Sequence, residues 1–157
     1  TKKGGMTVYT LHLKSNRGGR EAAARRRETA MEYLRKDWEK RGLDPGRNAI
    51  LVAGDFNCSL RNPEFAEEKT IRELLKAGWS SATAEIPWPE AATVKPDSTG
   101  KYPATDFDHI LLSPGWVALL RRESQWRGRN FAGLKAKVLQ ESNVPSDHWP
   151  VVLRIQE

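Results

Sequence analysis

The sequence predicts an α/β layered fold, and three features carry that prediction. An alternating segment (residues 6–13), a helix-forming stretch (20–41) and a run apolar on both faces (Ala49-Ile50-Leu51-Val52-Ala53) follow one another. Strand and helix signals then keep alternating, as they do where helices cover a sheet. In MTVYTLHL (6–13), Val8, Thr10 and His12 share one face while Tyr9, Leu11 and Leu13 share the other, the period-2 pattern of a half-buried strand. Asn16-Arg17-Gly18-Gly19 breaks the chain. Over 20–41, alanines and long unbranched side chains favour a helix whose buried stripe is Ala23, Ala30, Met31, Leu34 and Trp38. Gly42 ends it, and Asp44-Pro45-Gly46 turns the chain. The 49–53 run, stopped by Gly54, reads as a central strand covered on both faces. A second amphipathic helix is predicted over 64–77, with Ile71, Leu74 and Leu75 inward. Residues 79–105 read as a long irregular stretch rich in tryptophan and proline, of the kind that is usually functional or mobile in a compact domain. Strands over 107–113 and Val151–Ile155 complete the pattern, with no repeat, low-complexity tract or domain linker.

At 157 residues the chain has the size of one domain. That length buries enough surface to fold without disulfide staples. A hydrophobic content of 38%, before its 12 glycines are added, excludes a disordered chain. No apolar run approaches the ~20 residues of a membrane span, and Thr1-Lys2-Lys3-Gly4-Gly5 lacks the apolar core of a signal peptide. A soluble protein is expected, its compartment unknown, with a true N-terminus outside this sequence because no methionine begins it. The single cysteine, Cys58, excludes an internal disulfide framework and a multi-cysteine zinc site. The net charge is +6, and residues 1–50 hold 13 Lys/Arg against 6 Asp/Glu. A basic balance favours polyanionic partners such as nucleic acid or anionic lipid head groups. Much of the excess falls on the 20–41 helix, where a solvated face is the simpler explanation.

No nucleophile elbow, phosphate-binding P-loop, dinucleotide fingerprint or H-E-x-x-H is present. Polar residues cluster instead at the ends of apolar strands, where α/β proteins place their sites. In Gly54-Asp55-Phe56-Asn57, an extended backbone turns Asp55 and Asn57 to one side and Phe56 to the core. A carboxylate beside a carboxamide can orient water, bind a divalent cation or bond a phosphoryl oxygen; the same residues also suit an Asx-turn. In 106–113 (DFDHILLS), Asp108 shares a face with Ile110 and Leu112, with His109 opposite. An aspartate so placed needs a cationic or hydrogen-bonding partner unless it sits at the solvated strand start. Ser146-Asp147-His148-Trp149-Pro150 supplies a candidate, since an acid paired with His148 would fix its tautomer and orientation. A capping turn with a surface histidine accounts for those residues equally well. His12 lies near the end of the first strand, on the Thr10 face; taken alone, it reads as a packed residue. The conjunction of four strand-end motifs is harder to attribute to structure than any one of them.

In their order and spacing, LHLKSN, VAGDFN, FDHILLS and PSDHWPV resemble the endonuclease/exonuclease/phosphatase superfamily, the deoxyribonuclease I-like proteins, from about Val8 to Val152. The resemblance implies an α/β four-layer sandwich of two sheets covered by helices, and metal-dependent hydrolysis of a phosphate ester by in-line attack of water. It implies that Asp55 positions or deprotonates the water and that Asn57 contacts the phosphoryl oxygens or metal. His148, oriented by Asp108, would sit on the scissile phosphate, and His12 would protonate or stabilise the leaving oxygen. Asp147, with Asp55 and Asn57, would help bind a hard cation, Mg2+ or Mn2+. The family's first-half asparagine and metal-binding glutamate have no counterpart in the eleven residues before His12. Residues 1–157 therefore look like the second half of such a domain, with the first half absent or on another chain. An exposed apolar sheet surface, or an association that hides it, is expected.

Three functions are compatible with these residues. A phosphodiesterase acting on DNA or RNA accords with the basic first third, with Lys14, Asn16 and Arg17 as substrate contacts near the His12 strand end and Arg20 close by. Trp79, Trp88 and Tyr102 would then stack on bases, unless they pack in the core. A phosphatase of inositol phosphates, phospholipid head groups or other phosphomonoesters would use the same motifs. The third is an inactive fragment or interaction module lacking the metal glutamate. Cys58 is expected to be packed, and Arg25-Arg26-Arg27 to fan over different helix faces.

Overall fold

A computed structural model describes residues 5–126, 133–141 and 145–156. The stretch Thr1–Gly4, on which part of the signal-peptide reading rests, lies outside the described residues. The elements are β1 (Met6–His12), α1 (Arg20–Lys40), β2 (Ala49–Asp55), α2 (Lys69–Lys76), β3 (Ser80–Ser81), β4 (Asp108–Leu112), α3 (Pro114–Trp126), β5 (Gly133–Val138) and β6 (Val151–Gln156). A four-stranded sheet has the order β1-β2-β4-β3, in which β1 runs parallel to β2 and β4 antiparallel to both β2 and β3. β5 and β6 pair antiparallel in a second sheet.

The central strand is covered on both faces, as its apolar run predicts. Ile50 and Val52 point to α1 and α2, where they join Met31, Leu34, Trp38, Ile71 and Leu74 in one core. Ala49, Leu51 and Ala53 point the other way, onto Trp116 of α3 and onto Leu134 and Leu153 of the second sheet. Of the predicted α1 stripe, Ala23, Met31, Leu34 and Trp38 are buried, and Ala30 packs against the same core. Trp38 stacks on Trp79, with ring centroids 5.2 Å apart. On the far side, β1 pairs with β2 alone among the described residues. Its Met6 and Val8 are 59% and 50% exposed, on the face that Val8 shares with Leu51 by register. An exposed apolar strip of sheet is therefore present. Among the described residues no helix is long and apolar enough to cross a membrane.

The structure corrects the element reading in three places. The helix expected over 64–77 is a 3₁₀ turn at Pro63–Phe65 followed by α2. Asn62 Oδ1 caps the turn by accepting from the Glu64 N–H at 2.9 Å. Glu68 is extended (φ −76°, ψ 129°), because its carboxylate turns inward to Arg27. The 79–105 stretch is irregular but built: it contributes β3, and Val94 makes bridges to both Thr105 and His148. α3 and β5 are additional elements. Ser113 Oγ starts α3 by accepting from the Trp116 N–H at 3.1 Å.

Candidate active site

Strand register aligns three of the sequence motifs. His12 is paired with Asp55 across β1 and β2, and Asp55 with Asp108 across β2 and β4. Residues paired in this way share a face, so three side chains from three strands form a row with spacings near 4.8 Å. Gly54 makes the row possible. Its φ is +135°, and a Cβ there would stand 2.0 Å from the Leu11 carbonyl oxygen; only glycine allows β1 and β2 to approach this closely.

Asp55 is aimed by the turn that follows it. Asn57 adopts a left-handed conformation, φ 49°. Its backbone N–H donates to Asp55 Oδ1 at 2.8 Å, and its Nδ2 donates to Asp55 Oδ2 at 2.8 Å and to the Leu13 carbonyl at 3.0 Å. The Asx-turn is thus real, and it is also the device that fixes the carboxylate. Burial raises the Asp55 pKa, and the Asp108 carboxylate opposite adds to the rise; the Asn57 N–H, His148 and His12 pull it back only in part.

His148 closes the site from the segment before β6. Its Nδ1 lies 2.8 Å from Asp108 Oδ2, and its Nε2 lies 3.9 Å from Asp55 Oδ2. Donation from Nδ1–H to Asp108 turns Nε2 toward Asp55. Burial by itself would lower the His148 pKa. The bond and charge of Asp108, with the charges of Asp55 and Asp147, outweigh it and raise the pKa above the usual 6.5. The arrangement therefore sets a histidine of increased proton affinity between two carboxylates, facing an acid whose proton affinity is also increased. Such a pair can move protons and neutralise developing negative charge.

The other predicted site residues lie at varied distances from this centre. His12 Nε2 is 3.6 Å from Asp55 Oδ2, on a side chain that is 80% exposed. Asp147 is exposed; its backbone carbonyl accepts from the Lys95 N–H, and its charge acts on His148 from nearby. Lys14 Nζ folds back on the Ser15 and Arg17 carbonyls. Asn16 Oδ1 accepts from Arg27, so these two side chains hold their own loop, whereas Arg17 is exposed. Trp79 is buried, while Trp88 and Tyr102 are exposed.

Asp55, Asn57 and Asp147 are oxygen donors of the type a hard cation prefers. Among the described residues, however, no group of three or more His, Cys, Asp or Glu side chains comes close enough together to hold a metal ion. Among the described residues, Asp55, Asn57 and Asp147 therefore do not make a complete cation site.

Several positioning residues escape sequence reading. Thr93, fully buried, accepts at Oγ1 from the Phe107 and Asp108 N–H groups at 3.0 Å. Its carbonyl accepts from the Trp149 N–H at 2.7 Å, so one residue sets the spacing between Asp108 and His148. Arg27 is also fully buried. Its Nε and Nη2 donate to the two Glu68 oxygens at 2.7 Å, and its Nη1 donates to the Lys14 carbonyl at 2.6 Å. It locks the loop after β1 onto the core. The signal is its place at a spacing of four between Ala23 and Met31, where a charge on an apolar stripe implies a buried partner. Buried Asp106 accepts from Ser59 Oγ and from Arg61 Nη1 at 2.9 Å. His109 is buried between Thr83 Oγ1 and the Cys58 carbonyl. Burial lowers its pKa despite the neighbouring carboxylates, so it is a neutral packing residue. Cys58 is packed as expected, its thiol pKa raised by burial and by Glu68.

The fold and motifs agree with comparisons to known proteins. No curated protein matches the chain. Among solved structures, a mannosyl-6-phosphatase of Bacteroides thetaiotaomicron is similar with a TM-score of 0.56 and 16% identity, over 96% of this chain and 51% of that one. Sphingomyelinase C of Streptomyces griseocarneus is similar with a TM-score of 0.60 and 18% identity, over 93% and 51%. Truncated TDP2 of Caenorhabditis elegans gives 0.52 and 22%, over 94% and 54%. The chain spans about half the length of these structures, which share its α/β, deoxyribonuclease I-like fold. The profile of the Endonuclease/Exonuclease/phosphatase family matches residues 3–148, and the chain belongs to that family.

Proposed function

We propose that this chain carries the second half of a phosphodiesterase centre that hydrolyses DNA or RNA by in-line attack of water. The observation that carries the reading is His148, held by Asp108 at 2.8 Å and facing Asp55 at 3.9 Å. Asp55 orients the attacking water and accepts its proton, a role suited to a carboxylate whose pKa burial has raised. His148 sits on the phosphoryl oxygens and, when protonated, offsets the charge that builds there. His12, exposed at the end of the row, reaches the leaving oxygen. Asn57 keeps Asp55 in place.

A requirement for Mg2+ or Mn2+ is part of the proposal. Asp55, Asn57 and Asp147 are this chain's share of the ligands, and the rest come from outside the described residues. The first half of the domain, or another chain carrying it, supplies them and covers exposed Met6 and Val8. The half-length match to the solved structures supports this division. The excess of Lys/Arg in residues 1–50 favours a nucleic acid among the phosphate esters the site can accept.

The test is hydrolysis of bis(p-nitrophenyl) phosphate in Mg2+ or Mn2+ by this chain combined with the first half of the domain. Asp55→Ala and His148→Ala are each expected to lower turnover by about 10²-fold or more, with an unchanged circular dichroism spectrum. Turnover near wild type in either variant would overturn the reading.

A further inference from the structure

A cavity of about 340 Å3 is lined by Ser59, Arg61 and Asp106 together with Asn62, Ala104, Thr105 and Trp88. Trp88 is 52% exposed. An exposed tryptophan by itself means little, but this one is mounted on a braced segment. On its N-terminal side, Arg61 Nη2 donates to the carbonyls of Thr83, Ala84 and Ile86 at 3.3, 2.7 and 2.7 Å. On its C-terminal side, Gln140 Nε2 donates to those of Pro89, Glu90 and Ala92 at 3.1, 3.3 and 3.0 Å. Two side chains, one after β2 and one between β5 and β6, thus grip six carbonyls around a single indole.

The ionic groups of the lining are paired with each other. Asp106 is neutralised by Arg61 and bonded by Ser59. Ser59 Oγ also accepts from the N–H groups of Arg61 and Asn62. With its ionic groups paired and its accessible lining mostly apolar, the cavity suits an uncharged ring better than a phosphate. Its position is set by Val94, which bridges Thr105 on one side and His148 on the other. Two antiparallel spacings put Thr105 roughly 10 Å from His148, within reach of a base attached next to a phosphate seated there.

We propose that Trp88 and this cavity form a stacking subsite for a nucleobase of single-stranded nucleic acid, one that selects nucleic acid over lipid or sugar phosphates. The inference rests on the phosphodiesterase reading for its orientation, but its test does not depend on hydrolysis. The fully folded protein is titrated in a chelating buffer with oligothymidylate and with an abasic oligomer of equal length and phosphate content. Trp88→Ala is expected to weaken oligothymidylate binding about tenfold or more, with Trp88→Phe restoring most of it and the abasic oligomer unaffected. Equal affinities of wild type and Trp88→Ala for oligothymidylate would overturn the subsite, as would equal losses for both oligomers. Loss of binding to phosphatidylcholine vesicles, with oligothymidylate unaffected, would also overturn it and assign the indole to a lipid surface. Base-dependent binding, with bis(p-nitrophenyl) phosphate left uncleaved even after the first half of the domain is added, would leave the subsite standing and refute the phosphodiesterase reading alone.

Discussion

Replacing Arg27 with methionine tests how the loop beside the site is held. The side chain is 0% exposed and its partner Glu68 is 7% exposed, so their charges are not screened by solvent. Arg27→Met keeps the bulk but leaves the Glu68 carboxylate buried with Thr70 Oγ1 and the Cys58 thiol as its remaining partners among the described residues. Removing one member of a buried pair costs about 3–5 kcal/mol, a large part of a typical 5–15 kcal/mol total. Changing Glu68 to methionine as well removes the stranded charge, and well-packed apolar replacements of such pairs are often neutral. The double variant still loses two acceptor contacts, at the Lys14 carbonyl and Asn16 Oδ1, for about 1–2 kcal/mol. Urea denaturation of wild type, both single variants and the double variant reads these terms directly. A pH series adds a check. Burial pulls the Glu68 pKa upward, but Arg27 and Thr70 outweigh it and hold it below 4.5. The pair's contribution is therefore present above about 4.5 and lost as pH falls through the depressed native value. A single-variant loss under ~1 kcal/mol, or a double variant equal to the sum of the singles, would refute the account of a desolvated, coupled pair.

Two further outcomes follow from the site's geometry. Asp108→Asn removes the main influence that lifts the His148 pKa against burial, so nitrogen-detected histidine titration should show it falling. The wild-type pairing contributes stability fully below 6.5 and loses it as pH rises through the raised native value; the variant should lack this slope, and an unchanged pKa would contradict the pairing. Gly54→Ala sets a Cβ 2.0 Å from the Leu11 carbonyl oxygen at φ +135°. It should cost at least about 2 kcal/mol in urea denaturation and lower turnover by shifting Asp55; a neutral substitution would contradict the close approach of β1 and β2.

The elements with a clear apolar pattern were legible in the sequence. β2 shows itself as a doubly apolar run ending in glycine, and α1 as a stripe from Ala23 to Trp38. α3 went unread because its signals are ones that periodicity does not count: Ser113 as cap, Pro114 in the first turn, and Trp116, Leu119 and Leu120 inward. The site was legible as strand-end motifs and illegible as geometry. Nothing local in GDFN or SDH states that β4 lies antiparallel to β2, yet that pairing sets Asp108 opposite Asp55. Thr93 was invisible for the same reason, since its hydroxyl acts across 14 and 15 residues of chain. Among the aromatics of the long stretch, composition does not separate buried Trp79 from exposed Trp88; packing against Trp38 does.

The measurement that bears most directly on function is nicking of supercoiled plasmid, run beside cleavage of single-stranded circular DNA, in Mg2+ or Mn2+ with Asp55→Ala as control. Cleavage is expected once the first half of the domain is added to this chain, and it is expected to disappear when the chain carries Asp55→Ala. Cleavage that persists undiminished in Asp55→Ala would contradict the assignment of Asp55, and with it the centre built from Asp55, Asp108 and His148.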